Sequence, residues 1–419
     1  MKINKNKIIL LLFVLAIAGV YFYFQQPKSN PGSVHNNPAQ EQPAGPTSVV
    51  LKPAEVSFSS DKKFSLNIPQ NYQISLAAQG FRRARFMALS PDGRLFLGEM
   101  TSASDTSTGR VYVLDNFDET SGTFKSQKVY LNNLRNPNSL AFYTNSAGTS
   151  WLYIALTDKL IRYKYNSGDT SPTGDPEGLA TFPDYPHNPP EGYWHITRTV
   201  VIHNNQVYVS IGSSCDSCQE NEDLRAVIVK MDVDGKNQQI LASGLRNAVG
   251  LAFSGNDLFA TVNGSDDLGK DKPEDPLYKI VPGTNYGWPY CYQFQNKIYP
   301  NTTKSWSKPF DCSTVPLAWA TFLAHSAPLG LEYFDKDFAD PLIRDSFLAA
   351  LHGSGDIKIN HGNAVVVIKQ NQPPTDFITG FLQQGKRLGR PVDVLVKNKN
   401  SFFVTDDLNG VIYYLNYFK

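Results

Sequence analysis

The sequence carries almost no net charge. Its 39 Lys and Arg residues nearly balance 38 Asp and Glu residues, which gives a formal net charge of +1 over 419 residues. A protein that binds nucleic acid through the phosphates normally has a clear basic excess. Composition therefore gives no support for nucleic-acid binding, and we expect no nucleic-acid partner.

Cysteine is also scarce, with four residues at Cys215, Cys218, Cys291 and Cys312. The first two form a C-x-x-C pair, but no two further zinc ligands follow at a suitable spacing. Attachment of a c-type haem needs His after the second Cys, and Gln219 stands there instead. An even number of cysteines in an exported chain favours structural disulfides, and the sequence leaves their pairing open.

Nothing in the sequence resembles the glycine-rich G-x-G-x-x-G turn between a strand and a helix that binds dinucleotides. This absence argues against a nicotinamide-dependent enzyme with a Rossmann fold. Aromatic residues are abundant instead, at 12% of the chain with 21 Tyr and 25 Phe. Together with many β-branched residues and frequent Gly, Pro, Asn and Asp, they favour short strands joined by turns, and we predict an all-β fold.

The N-terminus differs in composition from the rest of the chain. A basic segment, MKINKNK, precedes an uncharged apolar run from Ile8 to Phe24. We predict that residues 1–24 form a signal peptide or a membrane anchor, and we prefer a retained anchor to cleavage after Ala18. Lysines on the N-terminal side place the rest of the chain outside the cytoplasm, in the periplasm or at the cell surface. No Cys follows the apolar run, which argues against a bacterial lipoprotein anchor.

Residues 25–57 have too little apolar content to form a core. The segment is rich in Pro, Gln, Asn, Ser and Gly, which is typical of a flexible tether. We therefore predict a flexible linker at 25–57 and one folded domain at 58–419.

A strand–turn–strand pattern recurs six times after the linker. It is clear in FMALSPDGRLFLGEM and TVVIHNNQVYVSIGS, and each copy has an aromatic residue in its second strand. These marker residues are Phe96, Tyr153, Tyr208, Phe259, Phe347 and Phe403. They are about 55 residues apart, the size of a four-stranded propeller blade, except where an insertion containing Cys291 and Cys312 lengthens one interval. We predict a six-bladed β-propeller, with a β-sandwich as the alternative, and expect an N-terminal strand to close the ring beside the last blade.

Three ionisable residues occupy the same position in three of these repeats. His195, Arg246 and Arg390 each lie about thirteen residues before the marker, where the innermost strand of a blade begins. The corresponding residues in the first, second and fifth repeats are Arg83 or Arg85, Asn138 and His325. Innermost strands begin at the mouth of the central channel, so we expect these side chains to form a basic pocket for an anionic ligand. The alternative is that each of them only pairs with a neighbouring carboxylate.

Seven motifs then occur in a recognisable order. They are HITRTVVIHNNQVYVSIGSSCDSC, ASGLRNAVGLAF, NGSDDLG, NYGWPYC, AHSAPLGLEYF, ALHGS and GRPVDVLV. From about residue 70 to its end, the chain resembles the L-sorbosone dehydrogenase family. That family is similar to the soluble quinoprotein glucose and aldose sugar dehydrogenases, which are six-bladed propellers that bind pyrroloquinoline quinone with calcium. The resemblance implies the same two cofactors here.

The resemblance also implies roles for individual residues. His195 matches the catalytic base, which takes a proton from a sugar hydroxyl or from an aldehyde hydrate. A neutral imidazole suits that role near neutral pH. Arg246 matches the arginine that contacts the reacting quinone carbonyl, where its fixed charge stabilises developing negative charge. Asn247 resembles a further cofactor-contacting residue.

The resemblance also implies that a pair of arginines faces the carboxylates of the cofactor, and Arg390 matches one of the two. The second falls at Val392, a departure for which Lys386 or Arg387 would have to compensate. His352 stands at the position of a cofactor-binding lysine. His325 stands where a polar side chain lines the pocket.

The calcium loop of the glucose enzymes corresponds to the acidic stretch NGSDDLGKDKPED. Calcium prefers carboxylate and carbonyl oxygens, so Asp266, Asp267 and Leu268 are the candidate ligands. The alternative is a solvated acidic loop without metal.

These features predict a quinoprotein oxidoreductase that oxidises an aldose or a sugar-derived aldehyde such as sorbosone. Because no haem motif is present, electrons would pass to a separate acceptor, a cytochrome or a quinone. Two alternatives remain at this point: a calcium-dependent, lactonase-like propeller hydrolase, and a non-catalytic extracytoplasmic propeller that binds a ligand.

Overall fold

The computed structural model describes residues 49–104, 106–184 and 195–418. The predicted signal or anchor at 1–24 therefore lies outside the described residues. Within the described part of the chain, no helix is long and apolar enough to cross a membrane.

Six antiparallel sheets of four strands follow one another along the chain and confirm the predicted six-bladed β-propeller. Before blade 1 come β1 (Leu51–Ser57), β2 (Lys63–Pro69) and β3 (Tyr72–Gln79). Blade 1 contains β4 (Ala84–Leu89), β5 (Leu95–Glu99), β6 (Gly109–Asp118) and β7 (Thr123–Leu134). Blade 2 contains β8 (Ser139–Thr144), β9 (Ser150–Ala155), β10 (Lys159–Tyr165) and β11 (Glu177–Thr181). Blade 3 contains β12 (Arg198–His203), β13 (Gln206–Ile211), β14 (Val227–Asp232) and β15 (Gln239–Ala242).

The second half of the propeller carries two small hairpins between its blade strands. Blade 4 and its insertion contain β16 (Asn247–Ser254), β17 (Asp257–Asn263), β18 (Asp275–Lys279), the hairpin β19 (Cys291–Phe294) and β20 (Lys297–Pro300), a 3-10 turn at Cys312–Thr314, and β21 (Ala320–Phe322). Blade 5 contains β22 (Pro328–Phe334), β23 (Ser346–Leu351), β24 (Ala364–Ile368) and β25 (Thr375–Ile378). The second hairpin consists of β26 (Leu382–Gln383) and β27 (Lys386–Arg387). Blade 6 contains β28 (Pro391–Asn398), β29 (Ser401–Asp406) and β30 (Val411–Tyr417).

An N-terminal strand closes the ring, as predicted. Strand β3 pairs antiparallel with β30, from Tyr72 opposite Tyr417 to Gln79 opposite Val411, and supplies the fourth strand of blade 6. Each first strand contacts the first strands of the neighbouring blades, so the six innermost strands surround one central channel.

The predicted linker at 25–57 ends too late, because residues 51–57 form β1. This strand pairs along its whole length with β2. Most of its side chains are exposed or half-buried, and only Val56 is buried. Its composition therefore resembles that of a linker, while its backbone hydrogen bonds to β2 hold it in the domain.

Apolar side chains fill the spaces between adjacent blades. One buried cluster lies at each of the six blade–blade junctions. Five of the six marker aromatics are buried in these clusters, and the sixth, Tyr208, packs at the edge of one. The channel itself contains a cluster of buried apolar side chains, Phe86, Val249, Leu329 and Val392, from the first strands of four blades.

Both predicted disulfides form, and the structure supplies their pairing. Cys215 is bonded to Cys218, and Cys291 is bonded to Cys312. The first bond closes a short loop after β13, and the second ties the insertion of blade 4 to itself.

Strand register places the candidate residues at one mouth of the channel. Asn247 at the start of β16 pairs with Asn263 at the end of β17. Arg198 and Ile211 pair in the same way in blade 3. The loops before the first strands and after the second strands therefore lie on the same face of the propeller.

Candidate functional site

His195 lies directly before the innermost strand of blade 3. Its backbone has a φ of 48°, in the left-handed region that side-chain-bearing residues seldom adopt. The guanidinium of Arg198, which is fully buried, donates to the His195 carbonyl at 2.6 Å and to the Thr197 carbonyl at 2.9 Å. Fixed backbone geometry of this kind is common where a side chain is held for function.

The imidazole of His195 is oriented by Ser213. Its Nδ1 lies 3.0 Å from the Ser213 carbonyl and 2.9 Å from Ser213 Oγ. Ser213 Oγ donates its own proton to the Cys215 carbonyl at 2.7 Å, so it acts as an acceptor toward the ring. Nδ1 therefore carries the proton in the neutral ring, and Nε2 carries the lone pair that a general base needs.

Burial in the wall of the site, together with the nearby charge of Arg246, holds the pKa of His195 well below its usual value. The imidazole is therefore neutral around neutral pH. A neutral base beside a fixed cation can accept a proton from a bound hydroxyl group.

Arg246 is held by the loop that the first disulfide closes. Its side chain is 5% exposed, and Nη2 lies 2.6 Å from Asp216 Oδ1 while Nε donates to the Asp216 carbonyl at 2.8 Å. Asp216 Oδ1 also accepts from the Asp266 amide at 2.8 Å, and Asp266 Oδ2 lies 3.6 Å from Arg246 Nη2. Hydrogen bonds from both Nε and Nη2 therefore hold the guanidinium in one orientation.

The insertion of blade 4 clamps this loop from outside. Trp288 Nε1 donates to the Asp216 carbonyl at 3.1 Å, and Asn301 Nδ2 donates to Ser217 Oγ at 3.2 Å. Lys304 donates to the Ser217 carbonyl. The insertion thus has a structural role in positioning Arg246.

Asn247 lies beside His195. A Cβ built on Gly212 would stand 2.5 Å from His195 Cβ and 2.7 Å from Asn247 Oδ1, so both side chains approach the same point. Only glycine leaves room for them there.

His325, in the fifth blade, reaches the acidic loop of the fourth. Its Nδ1 lies 3.0 Å from Asp266 Oδ1, and its Nε2 lies 2.8 Å from the Gly269 carbonyl. The Asp266 carboxylate therefore contacts both His325 and Arg246.

A second group of charged residues lies around Asp407, directly after β29. Its carboxylate contacts Arg83, Arg85 Nη1 at 3.2 Å and His352 Nε2 at 2.8 Å. Burial alone would raise the pKa of Asp407, but His352 and the two arginines hold it below its usual value. Burial lowers the pKa of His352 to about 4, so its neutral ring donates from Nε2 to the carboxylate.

Arg390 and Arg387 extend this group. Arg390 donates from Nε to the His352 carbonyl at 3.2 Å and from Nη2 to the Gly353 carbonyl at 3.0 Å. Burial, with the other guanidiniums nearby, lowers the pKa of Arg390 to about 10. Arg387 donates to the Ser354 carbonyl, whereas Val392 is buried in the apolar cluster of the channel. Arg387 lies close enough to Arg390 to help lower its pKa, and its replacement of the missing arginine stays a prediction.

Hydrogen bonds connect the two groups around the channel. Arg85 Nε donates to Asn138 Oδ1 at 2.8 Å, Asn138 Nδ2 donates to the Arg198 carbonyl at 3.2 Å, and Arg198 contacts His195. On the other side, the Gly353 amide donates to the carbonyl of Ser326, which follows His325. We call this set the mouth ring; it comprises His195, Arg246, Asn247, Asp216, Asp266, His325, Arg390, Arg387, His352, Asp407, Arg83, Arg85, Asn138 and Arg198. Its members come from all six blades, and the apolar cluster of Phe86 and Val392 lies on the first strands of the same channel.

Comparison with known proteins identifies the family. The family described as TrAA12-like matches residues 66–417. The chain belongs to the TrAA12-like family. A curated relative from Borreliella burgdorferi, named only as an uncharacterized protein, is 26% identical over 380 residues, which cover 85% of this chain and 92% of the relative.

Solved structures share the fold of this TrAA12-like chain. The holo form of the pyranose dehydrogenase PQQ domain from Coprinopsis cinerea is 18% identical, with a TM-score of 0.67, and the match covers 84% of this chain and 97% of that one. A calcium structure of the Trichoderma reesei family AA12 enzyme is 17% identical, with a TM-score of 0.67, over 84% and 96% of the two chains. A glucose dehydrogenase is 13% identical, with a TM-score of 0.58, over 83% and 99%.

The arginines of the mouth ring fit an anionic cofactor with several carboxylates. Arg83 and Arg85 contact the Asp407 carboxylate, and Arg390, with Arg387 near it, lies close to the same carboxylate. The Nε atoms of Arg83 and Arg387 are buried and have no hydrogen-bond partner among the described residues. A carboxylate ligand would neutralise the excess positive charge and accept hydrogen bonds from the unused donors.

Calcium fits the acidic loop less well in this arrangement. Asp266 is engaged with His325 and Arg246, and Asp267 Oδ2 accepts from Thr303 Oγ1 at 3.4 Å. Among the described residues, no three carboxylate or imidazole groups converge near this loop. The three predicted ligands, which include the backbone of Leu268, therefore stay a prediction.

Sequence reasoning missed three residues that hold the site. Ser213 orients His195, Asp216 fixes Arg246, and Asp407 gathers the second group. Asp216 could have been noticed as the acid enclosed by the two cysteines of C-x-x-C. Asp407 follows a second strand, as Asp266 does two blades earlier, and that repeat position was available in the sequence.

Proposed function

We propose that this TrAA12-like chain is a quinoprotein oxidoreductase that oxidises an aldose sugar or a sugar-derived aldehyde outside the cytoplasm. The observation that carries the proposal is the pairing of His195, a neutral base with a fixed tautomer, with the rigid cation Arg246 at an arginine-rich channel mouth. The pyranose dehydrogenase PQQ domain and the glucose dehydrogenase that share the fold support it.

Pyrroloquinoline quinone would supply the redox chemistry as a hydride acceptor. Arg390, Arg387 and Arg83 would hold its carboxylates by charge-assisted hydrogen bonds. Asn247 and His352 would add polar contacts at the two sides of the mouth ring.

His195 would bind the substrate hydroxyl at Nε2 and take its proton as the C–H bond breaks. Ser213 keeps the ring in the required tautomer throughout. Arg246 carries a positive charge whatever the state of the reaction, so it stabilises negative charge that develops opposite the base. The tight contacts of Arg246 with Asp216 mean that little reorganisation is needed at that moment.

The proposed substrates are aldoses and sugar-derived aldehydes, and the sequence resemblance makes sorbosone one candidate. A cytochrome or a quinone would reoxidise the cofactor. Two formed disulfides support an extracytoplasmic location, and membrane attachment through residues 1–24 stays a prediction.

A lactonase-like hydrolase is the weaker candidate. Such a propeller needs a metal held by several oxygen ligands on the channel axis. The mouth ring instead carries His195, Arg246 and Arg390, and its carboxylates at Asp216, Asp266 and Asp407 are paired with arginines.

Reconstitution tests the proposal. The purified chain is mixed with pyrroloquinoline quinone and Ca²⁺ and supplied with aldoses, sugar aldehydes and an artificial dye acceptor. We expect dye reduction that His195→Ala abolishes while quinone binding persists. His203→Ala is the matched control, because His203 stacks on Phe253 at the far end of β12 and should leave activity unchanged. Absence of quinone binding to the wild-type protein would overturn the proposal.

A further inference from the structure

The disulfide of the C-x-x-C pair closes a loop to which both halves of the proposed active site are attached. Asp216, between the two cysteines, accepts from Arg246 Nη2 at 2.6 Å. The Cys215 carbonyl accepts from Ser213 Oγ at 2.7 Å, and the same Oγ lies 2.9 Å from His195 Nδ1. The position of this loop therefore affects the proposed base and the proposed cation together.

The two sulfur atoms of this bond differ in accessibility. Cys215 is 6% exposed and packs against Trp288, whereas Cys218 is half-buried. A cross-link stabilises a fold less when it closes a shorter loop, and these cysteines are 3 positions apart, against 21 for Cys291 and Cys312. The Cys218 sulfur is therefore the one that a thiolate can attack, in a bond on which the stability of the propeller depends little.

A carboxyl group lies beside the two sulfur atoms. One carboxyl oxygen of Glu220 and both sulfurs lie within 4.8 Å of one another. Ser214 holds this carboxyl group, donating from its amide to Oε1 at 2.6 Å and from Oγ to Oε2 at 2.7 Å. Burial raises the pKa of Glu220, so it keeps its proton to a higher pH than an exposed glutamate does. A carboxyl group in this place can give a proton to a departing thiolate and take it back when the bond reforms.

We propose that the Cys215–Cys218 bond is a reversible redox switch, which a dithiol reductant opens and thereby releases Arg246 and His195 from their working positions. The effect on activity rests on the proposed function. The thiol chemistry and the movement of the loop do not.

Opening the bond is a thiol–disulfide exchange. One thiol of the reductant loses its proton to solvent and attacks Cys218 Sγ, which forms a mixed disulfide and breaks the bond to Cys215. Cys215 leaves as a thiolate and takes the proton of Glu220. The second thiol of the reductant returns a proton to Glu220 and attacks the reductant's own sulfur in the mixed disulfide, so that Cys218 leaves and is protonated from solvent. Two electrons and two protons pass from the dithiol, which becomes a disulfide, to the two cysteines.

Reduction changes the space that the two sulfurs need. Two thiols occupy more room than one disulfide, and Trp288 and Ala226 pack closely on Cys215. We expect the loop to shift to make that room, which loosens the contact of Asp216 with Arg246. The insertion of blade 4 still clamps the loop from outside, so the loss of positioning is partial.

Graded reduction of the native chain tests the switch. The purified protein is equilibrated with dithiothreitol buffers of increasing reducing strength, free thiols are alkylated, and peptide masses report which bond has opened. We expect Cys215–Cys218 to open before Cys291–Cys312, while circular dichroism shows an intact propeller. The Asp266 amide donates to Asp216 Oδ1, and its hydrogen exchange, followed in the peptide 263–269, should become at least about tenfold faster after opening.

Two further measurements complete the test. Glu220→Gln should slow opening about tenfold, because the departing thiolate loses its proton donor. Glu222→Gln is the matched control, since Glu222 pairs with Arg225 two positions further along and should leave the rate of opening unchanged. After removal of the reductant, dye reduction by the opened protein should be about tenfold slower and should recover on reoxidation.

The outcomes separate the switch from the proposed function. Selective opening with faster exchange at Asp266 supports the switch even if the oxidised protein reduces no dye, a result that counts against the proposed function alone. Unchanged exchange after opening overturns the switch, as does a bond that opens only after Cys291–Cys312 or only when the chain unfolds. In an active protein, dye reduction that selective opening leaves unchanged overturns it as well.

Discussion

Asp216 holds Arg246, the arginine that we propose stabilises developing charge, and replacing Asp216 by Asn tests that positioning role. The change keeps the shape of the side chain and removes its charge. In the wild-type protein this carboxylate accepts from Arg246 at 2.6 Å and from the Asp266 amide at 2.8 Å, with only 19% of the side chain exposed. Hydrogen bonds to charged groups of this kind contribute about 1.5–3 kcal/mol each.

Asn can retain the bond from the Asp266 amide, so the loss concerns mainly the Arg246 contact. We expect the free energy of unfolding to fall by about 2 kcal/mol. We also expect kcat/KM for dye reduction to fall about tenfold or more, since a mobile guanidinium stabilises developing charge less well.

A shift in the pH profile distinguishes positioning from a merely structural role. Arg246 already lowers the pKa of His195, and removing the Asp216 charge makes the surroundings of the imidazole more positive. The acid limb of kcat/KM should therefore move to lower pH in Asp216→Asn. Asp234→Asn, in an exposed pair with Lys236, is the control and should change neither quantity. Wild-type kcat/KM together with a wild-type pH profile in Asp216→Asn would refute the reasoning.

Four further predictions concern the same site. Gly212→Ala should abolish most activity although it replaces no site side chain, because its Cβ would meet His195 Cβ at 2.5 Å and Asn247 Oδ1 at 2.7 Å and so displace the proposed base; steady-state kinetics on the folded variant check this. Arg390→Met should weaken quinone binding at least about tenfold while thermal unfolding shows an intact fold, as measured by quinone titration. Because the pKa of His195 is lowered, wild-type activity should persist below the pH at which an ordinary histidine protonates, and an acid limb at that ordinary value would contradict the assignment. Because folding lowers the pKa of Asp407, its ionised form contributes stability that is complete above the ordinary Asp pKa and is lost as the pH falls toward the folded-state pKa. The free energy of unfolding of Asp407→Asn, measured in urea, should therefore fall less over this acid range than that of the wild-type protein.

The fold was predictable because a propeller repeats one unit. Each second strand carries an aromatic marker that packs between blades, so the repeat appears in the sequence as a periodic signal. The sequence predicts that an N-terminal strand closes the ring, but it does not locate that strand as β3, because its partner β30 lies at the other end of the chain. Strand β1 was missed because its exposed side chains resemble those of a linker.

The site was predictable at the positions that the repeat marks. His195, Arg246 and Arg390 begin innermost strands, and the structure brings all three to one mouth. The residues that hold them come from loops whose course the repeat does not determine. Asp216, for example, reaches Arg246 only because the Cys215–Cys218 loop folds back over the next blade.

A crystal structure of the chain with pyrroloquinoline quinone bound tests the central claim most directly. We predict that the quinone lies at the channel mouth, with its carboxylates on Arg390 and Arg387 and its reacting carbonyl within hydrogen-bond distance of Arg246, facing His195. A quinone bound elsewhere on the propeller, or one at the mouth with His195 out of reach of any substrate on it, would contradict the account.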